Sequence, residues 1–264
     1  MLASPGGQIL AGGTDFYPAL GERLPQGNVI DITGIHEIRG ISIESGFIRI
    51  GGLTTWTDVI RTPLPRCFDC LKHAAREVGS IQIQNRGTVA GNLCNASPAA
   101  DGVPPLLALD ADVELVSTSG KRLVPLGQLL TGNRKTVRRA NEVLTAVVVP
   151  RRIEDAASTF LKLGARRYLV ISISMVAAIV HQYPTGRVAE AHIAVGSCSA
   201  TARRLTQLEN DLIALPASQV AGAVKAEHLS PLSPIDDIRA TADYRRDASL
   251  TLVRRALEKC VGRS

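Results

Sequence analysis

Gln82-Ile-Gln-Asn-Arg-Gly-Thr-Val-Ala-Gly-Asn-Leu-Cys-Asn-Ala-Ser-Pro-Ala-Ala-Asp-Gly-Val-Pro-Pro-Leu-Leu-Ala-Leu109 is the least generic stretch of this sequence. Small and hydrogen-bonding residues dominate it between Arg86 and Asp101. That composition predicts irregular backbone, held by its own polar groups around a ligand. Thr88, Asn92, Asn95, Ser97 and Asp101 supply donors and acceptors for phosphate or sugar hydroxyls. Asp101 suits a ribose, because a carboxylate accepts two hydrogen bonds. Far upstream stands a second glycine element, Ala11-Gly-Gly-Thr-Asp15, directly after the strand-like Gln8-Ile-Leu-Ala11. Bare N–H groups in such a turn favour an anion such as a pyrophosphate. Thr14 or Asp15 is placed to cap a helix reaching about Gly21.

The remaining composition narrows the class. With 264 residues, 45% hydrophobic and 20% charged, the chain is globular and long enough for one large domain or two modest ones. Aromatics make up only 3%, which disfavours a single-strand nucleic-acid binder built on ring stacking. The net charge of +6 favours anionic ligands or acidic partners. Arginines recur in pairs, among them Arg138-Arg139, Arg151-Arg152, Arg166-Arg167, Arg203-Arg204, Arg245-Arg246 and Arg254-Arg255. They read as solvated faces, with a docking face for an acidic subunit as the alternative.

The five cysteines are spread along the chain, unlike a disulfide framework. Cys67-Phe-Asp-Cys70 lacks a second ligand pair and falls in a helical pattern, so it reads as packing. Met1 to Pro5 lacks the start of a secretory signal. The longest apolar run, Tyr168 to Val180, is too short to span a bilayer and reads as a buried strand. A cytoplasmic protein with no membrane span is expected.

Periodicity orders the elements. Strands are expected at Val29–Ile32, in hairpins at Ile41–Ile43 with Phe47–Ile50 and at Val113–Ser117 with Arg122–Val124, and at Val143–Val149. Short helices are expected from Thr54-Thr55 to Ile60 and over Pro65–Val78. A boundary falls near Arg151–Ala157. Beyond it come strands Thr159–Leu163, Leu169–Val180 and Ala189–Gly196. Helices Ala202–Ile213, Ala217–Glu227 and Ala242–Val261 close the chain.

Common sites are missing. No Gly-x-Gly-x-x-Gly, no nucleotide-triphosphate loop and no Gly-x-Ser-x-Gly elbow occurs. His36-Glu37 lacks the second histidine of a zinc protease, and the five histidines do not cluster. No catalytic side chain and no metal ligand is expected.

The two glycine elements together resemble those of the FAD-binding medium subunits of molybdenum hydroxylases, the xanthine dehydrogenase and carbon monoxide dehydrogenase family. The resemblance runs in order through Leu144 to Pro150, Lys162, Arg166-Arg167, Ala194 to Arg204 and Tyr244-Arg-Arg. It implies an α+β fold: a two-lobed flavin domain of the vanillyl-alcohol-oxidase (PCMH) type over 1–152, then a smaller domain over 153–264 with an antiparallel sheet and helices. It also implies non-covalent FAD. Leu10, Ala11, Gly12, Gly13, Thr14 and Asp15 would wrap the pyrophosphate, and Thr88, Gly91 and Asn92 would add phosphate-side contacts. Ser97 joins the second loop. Asp101 would bind ribose or nearby hydroxyls, Leu144 would pack near the adenine, and Lys162 would lie close to the cofactor. For Leu144 plain core packing is an equal reading.

Relatives carry a further strand and helix before the first glycine loop, which here begins at Ala11, so an exposed strand edge is expected at Gln8–Ala11. The implied partners are a large subunit with the molybdenum cofactor and a small subunit with two [2Fe–2S] clusters. Electrons would pass through the clusters and FAD to NAD+ or another acceptor. Two other readings stay open: a flavin-free interaction subunit of the same complex, and a stand-alone FAD oxidase. On the cofactor reading, Asp101→Ala lowers FAD occupancy more than stability.

Overall fold

The computed structural model describes residues 7–167 and 169–262. Met1 to Pro5 and Tyr168, the start of the apolar run, lie outside the described residues. β1 (Gln8–Leu10) and β2 (Val29–Asp31) pair in parallel, with α1 (Phe16–Leu20) between them in the chain. Among the described residues β1 has no other strand neighbour.

β3 (Ile41–Ile43) and β4 (Phe47–Gly51) form a hairpin around Glu44-Ser45-Gly46. α2 (Trp56–Arg61) starts at a capping box. The Thr55 hydroxyl accepts the Asp58 N–H, and the Asp58 carboxylate accepts the Thr55 N–H. α3 (Asp69–Glu77) follows and buries Cys70, Leu71, Ala74 and Ala75, which lie on one helical face.

The stretch that opened the sequence reading is more regular than expected. It holds α4 (Ile81–Arg86), α5 (Val89–Asn95) and α6 (Val103–Ala108). Thr88 explains the correction at α5: its hydroxyl accepts the Gly91 N–H, while Val89, Ala90 and Leu93 turn into the core. The irregular backbone is confined to the connections, where Ala96 takes a left-handed conformation at φ 49°.

β5 (Asp112–Ser117) and β6 (Gly120–Pro125) make the second hairpin. α7 (Leu126–Leu129) leads to the small pair β7 (Leu130–Gly132) and β8 (Lys135–Thr136). β9 (Val143–Pro150) then enters between the two hairpins, giving an antiparallel sheet in the order β3-β4-β9-β5-β6. The β5–β9 register shifts beside Glu114, so Thr145 drops out of the pairing next to Leu144.

β10 (Ala157–Leu163), β11 (Ser174–Gln182), β12 (Val188–Gly196) and β13 (Arg203–Arg204) form a second antiparallel sheet in chain order. α8 (Thr206–Leu212) and α9 (Ala242–Val261) cover one face, while α3 and α6 cover the other. β11 therefore serves two cores. Met175, Ala177 and Ile179 join the core of the first sheet, and Val176, Ala178 and Val180 join the core under α9. Alternating side chains with both faces buried produce a continuous apolar run, as read from the sequence.

Three expectations are corrected here. Leu169 to Ile173 is not strand: Leu169 has φ +51° and the strand begins at Ser174. Arg203-Arg204 pairs with β12 before α8 begins, so that helix is shorter than read. Ala217–Glu227 is not one helix but two 3-10 turns, Ala217–Gln219 and Ala226–Leu229. Val220, Val224 and Leu229 point into the core from this looser chain, which reproduces helical spacing without a helix.

Several paired arginines are structural rather than solvated. Arg204 grips Glu209 through two bonds and also donates to Asp110 and the Leu107 carbonyl. Arg152 pairs with the same Asp110. Arg245, 1% exposed, donates to the Ile173 and Ser197 carbonyls and to Asp237. For Arg204 and Arg245 these bonds offset the cost of burying a cation, although Arg245 Nε has no partner among the described residues, while Arg152 stays more than half exposed.

Candidate functional site

A cleft of about 580 Å³ opens between the β1–α1 turn, α5 and the start of β9. That volume is typical of a small-molecule or cofactor site. The turn forms one wall. The Leu10 carbonyl accepts the Ile32 N–H and ends the parallel pairing. Gly12 then presses on the neighbouring glycine element, where a Cβ would lie 1.9 Å from the Arg86 carbonyl oxygen. Gly13 has φ +74°, a conformation that favours glycine. This contact joins the two glycine elements, far apart in sequence, into one site. Among the described residues, no hydrogen bond takes the N–H groups of Gly12, Gly13 or Thr14.

α5 forms the facing wall and offers side chains rather than N–H groups. Val89 N–H donates to Thr54, Ala90 N–H to Gly52, and Gly91 N–H to the Thr88 hydroxyl. Among the described residues, the Thr88 hydroxyl donates to no partner. Asn92 lines the cleft, and its Oδ1 is buried without a partner. Such an atom costs roughly 1–3 kcal/mol unless something pairs with it. Asn95 Oδ1 accepts from Arg134 Nη1 at 2.7 Å, and the same nitrogen lies 3.1 Å from Asp15 Oδ2. Arg134 thus bridges the two walls. Asp15 precedes α1 but does not cap it with its side chain, contrary to one sequence expectation.

The structure brings Ala11, Gly12, Gly13, Thr14, Asp15, Thr88, Gly91, Asn92 and Leu144 together around the cleft. Leu10, Ser97, Asp101 and Lys162 are not among its lining residues. The Ser97 hydroxyl accepts the Ala99 N–H within its own turn. Asp101 and Lys162 form a buried ion pair at 2.6 Å, with side chains 9% and 7% exposed. Ser172 donates to the other Asp101 oxygen at 2.8 Å. Burial pushes the Asp101 carboxyl above its ordinary range, against the pull of Lys162 and Ser172.

The sequence reading missed three residues here. Trp56 lies buried beside the cleft, and a Cβ on Gly102 would strike its ring at 2.4 Å. Arg134 carried no motif signal. Arg138 lines the cleft but appeared in the sequence only as half of an arginine pair.

Other reactive residues do not build a competing site. Burial pushes the Cys67 thiol up to about 12 and raises Cys70 further, the reverse of an activated redox pair. All five cysteines are free. Among the described residues, no group of histidine, cysteine and carboxylate side chains could hold a metal, and no helix is long and apolar enough to cross a membrane.

Comparisons with known proteins give one consistent result. The model for the FAD binding domain in molybdopterin dehydrogenase matches residues 1–152, and the model for the CO dehydrogenase flavoprotein C-terminal domain matches residues 159–260. A putative xanthine dehydrogenase FAD-binding subunit of Escherichia coli (strain K12) is 30% identical over 98% of this chain and 90% of its own. The nicotinate dehydrogenase FAD-subunit of Eubacterium barkeri is 39% identical over 62% of this chain and 57% of its own. A solved structure of carbon monoxide dehydrogenase from Hydrogenophaga pseudoflava superposes with a TM-score of 0.87 at 27% identity, covering 98% of this chain and 91% of that one.

Proposed function

Because the chain belongs to the FAD-binding family of molybdopterin dehydrogenases, we propose that it carries electrons within a molybdenum hydroxylase complex, from [2Fe–2S] clusters to NAD+ or another acceptor. In this reading a large subunit holds the molybdenum cofactor and a small subunit holds the clusters. The chain itself is an FAD-binding medium subunit of the oxidoreductase. We place the complex in the cytoplasm and assign the flavin part to 1–152 and a docking part to 153–264.

One observation carries the cofactor assignment. Among the described residues, no hydrogen bond takes the N–H groups of Gly12, Gly13 and Thr14, which stand at a cleft lined also by Asn92, whose buried Oδ1 has no partner among those residues. Anion-accepting donors on one side and a buried polar atom needing a partner on the other fit a dinucleotide with a diphosphate. When bound, FAD supplies the redox chemistry. The chain binds and orients it. Gly12, Gly13 and Thr14 would hold the diphosphate, joined by Ala11 and Asp15. Thr88 and Asn92 would donate or accept from α5, where Gly91 leaves room. Leu144 would pack against the adenine end. Asp101 and Lys162, outside the lining of the cleft, would tie the flavin part to β10.

The test is flavin content. Co-expression with the neighbouring subunits and release of bound cofactor should give FAD, and reduction of the complex by its substrate should bleach the flavin absorption. An intact, active complex without flavin would leave the interaction-subunit reading standing. Reduction of the lone chain by a substrate would favour the stand-alone oxidase.

A further inference from the structure

Charge on the cleft wall is sparse. Asp15 and Arg138 are the charged residues among those lining it, and Asp15 is already engaged by Arg134. Arg138 lines the same cleft as the Gly12–Thr14 turn. Its Nη1 donates to the Arg139 carbonyl at 3.0 Å and the Glu142 carbonyl at 2.7 Å, and its own N–H reaches the Thr136 hydroxyl. These bonds fix the guanidinium in place without a carboxylate partner. No bond of Nε or Nη2 to another described residue accompanies them. Burial raises the Cys94 thiol, and the charge of Arg138 opposes that rise.

From this placement, and resting on the FAD reading above, we propose that Arg138 is a binding residue for the anionic diphosphate of the dinucleotide. Its pre-positioned cation gives that group a charged partner in the cleft that the Gly12–Thr14 donors also line. A guanidinium held by backbone carbonyls loses little entropy when it engages a phosphate, and its planar fork matches phosphate oxygens. The Gly12–Thr14 loop supplies dipoles only, so Arg138 supplies the one full positive charge among the described lining residues. A charged contact of this kind is salt-sensitive, whereas packing of the adenine on Leu144 is not.

FAD titration of the purified full chain, wild type, Arg138→Gln and Arg138→Lys, followed by flavin fluorescence at about 0.05 M and about 1 M salt, tests this. Arg138→Gln should weaken FAD roughly 10- to 100-fold at low salt, the worth of a hydrogen bond to a charged group. The loss should shrink at high salt, and Arg138→Lys should recover part of the affinity, because it keeps the charge but not the held planar fork. Unchanged affinity in Arg138→Gln overturns the proposal. So does an equal loss in both variants at both salts, which marks a merely structural arginine. Wild-type protein that binds no FAD at all overturns the cofactor reading itself, a result distinct from either.

Discussion

Lys162 Nζ lies 2.6 Å from Asp101 Oδ2 inside the protein, joining the end of the glycine-rich segment to β10 of the second sheet. The pair is a structural joint. Ser172 donates to the same carboxylate, and Lys162 also reaches the Glu77 carbonyl at 3.4 Å.

Removal of one member strands the other. Asp101→Ala should cost about 3–5 kcal/mol of stability, because it leaves Lys162 as an uncompensated buried cation. Asp101→Ala combined with Lys162→Met should recover part of that loss. Urea unfolding of the single and double variants without FAD measures both. A single variant as stable as wild type would show that the pair holds nothing together. The stability cost adds to the loss of FAD occupancy expected from sequence, so both readouts should fall in the same variant.

Gly12 is a second joint. Gly12→Ala places a Cβ against the Arg86 carbonyl and should cost about 1–3 kcal/mol while lowering FAD affinity. Gly34→Ala is the control, since nothing lies within 4 Å of its Cβ position. It should change stability by less than about 0.5 kcal/mol. Melting curves with and without FAD report both effects.

Arg134 separates binding from folding. Its pair with Asp15 is half exposed, so Arg134→Ala should change stability by less than about 1 kcal/mol. The same change frees Asp15 and Asn95 from the arrangement that aligns the two walls. FAD affinity should fall by about 3- to 10-fold, the worth of one hydrogen bond. An affinity unchanged by the substitution would remove Arg134 from the site's architecture.

Glu142 predicts an acid transition. Two bonds from Arg122, with the Arg139 N–H added, hold its carboxyl down at about 2. A lowered folded-state value stabilises the protein above the unfolded-state value and loses that contribution as pH falls. The loss should run from about pH 4.5 down to about pH 2. At neutral pH Glu142→Gln should be roughly 2 kcal/mol less stable, and it should lack this part of the acid dependence. Denaturation midpoints across pH 7 to 2.5 compare the two proteins.

Much of this was legible in the chain. Both hairpins, β9 and the last helix follow from alternation, turn residues and helical spacing, which are local signals. The two glycine elements announced a shared site, and Gly12 against Arg86 shows how they meet. α5 was hidden because its polar face, Thr88, Asn92 and Asn95, faces the cleft and masks the buried Val89, Ala90 and Leu93. Long-range pairings left no local trace. Asp101 meets Lys162 across 61 positions, and Arg134 meets Asp15 across 119. Arg138 looked like any surface arginine until the fold brought it to the cleft lined by the Gly12–Thr14 turn and α5.

The most direct measurement is the flavin itself. The chain is produced with its subunits, the intact complex is purified, and the cofactor released by denaturation is identified and counted against protein. About one FAD per chain is the expected result, lost in parallel with Gly12→Ala. An intact and active complex that releases no flavin would contradict the assignment of this cleft to FAD.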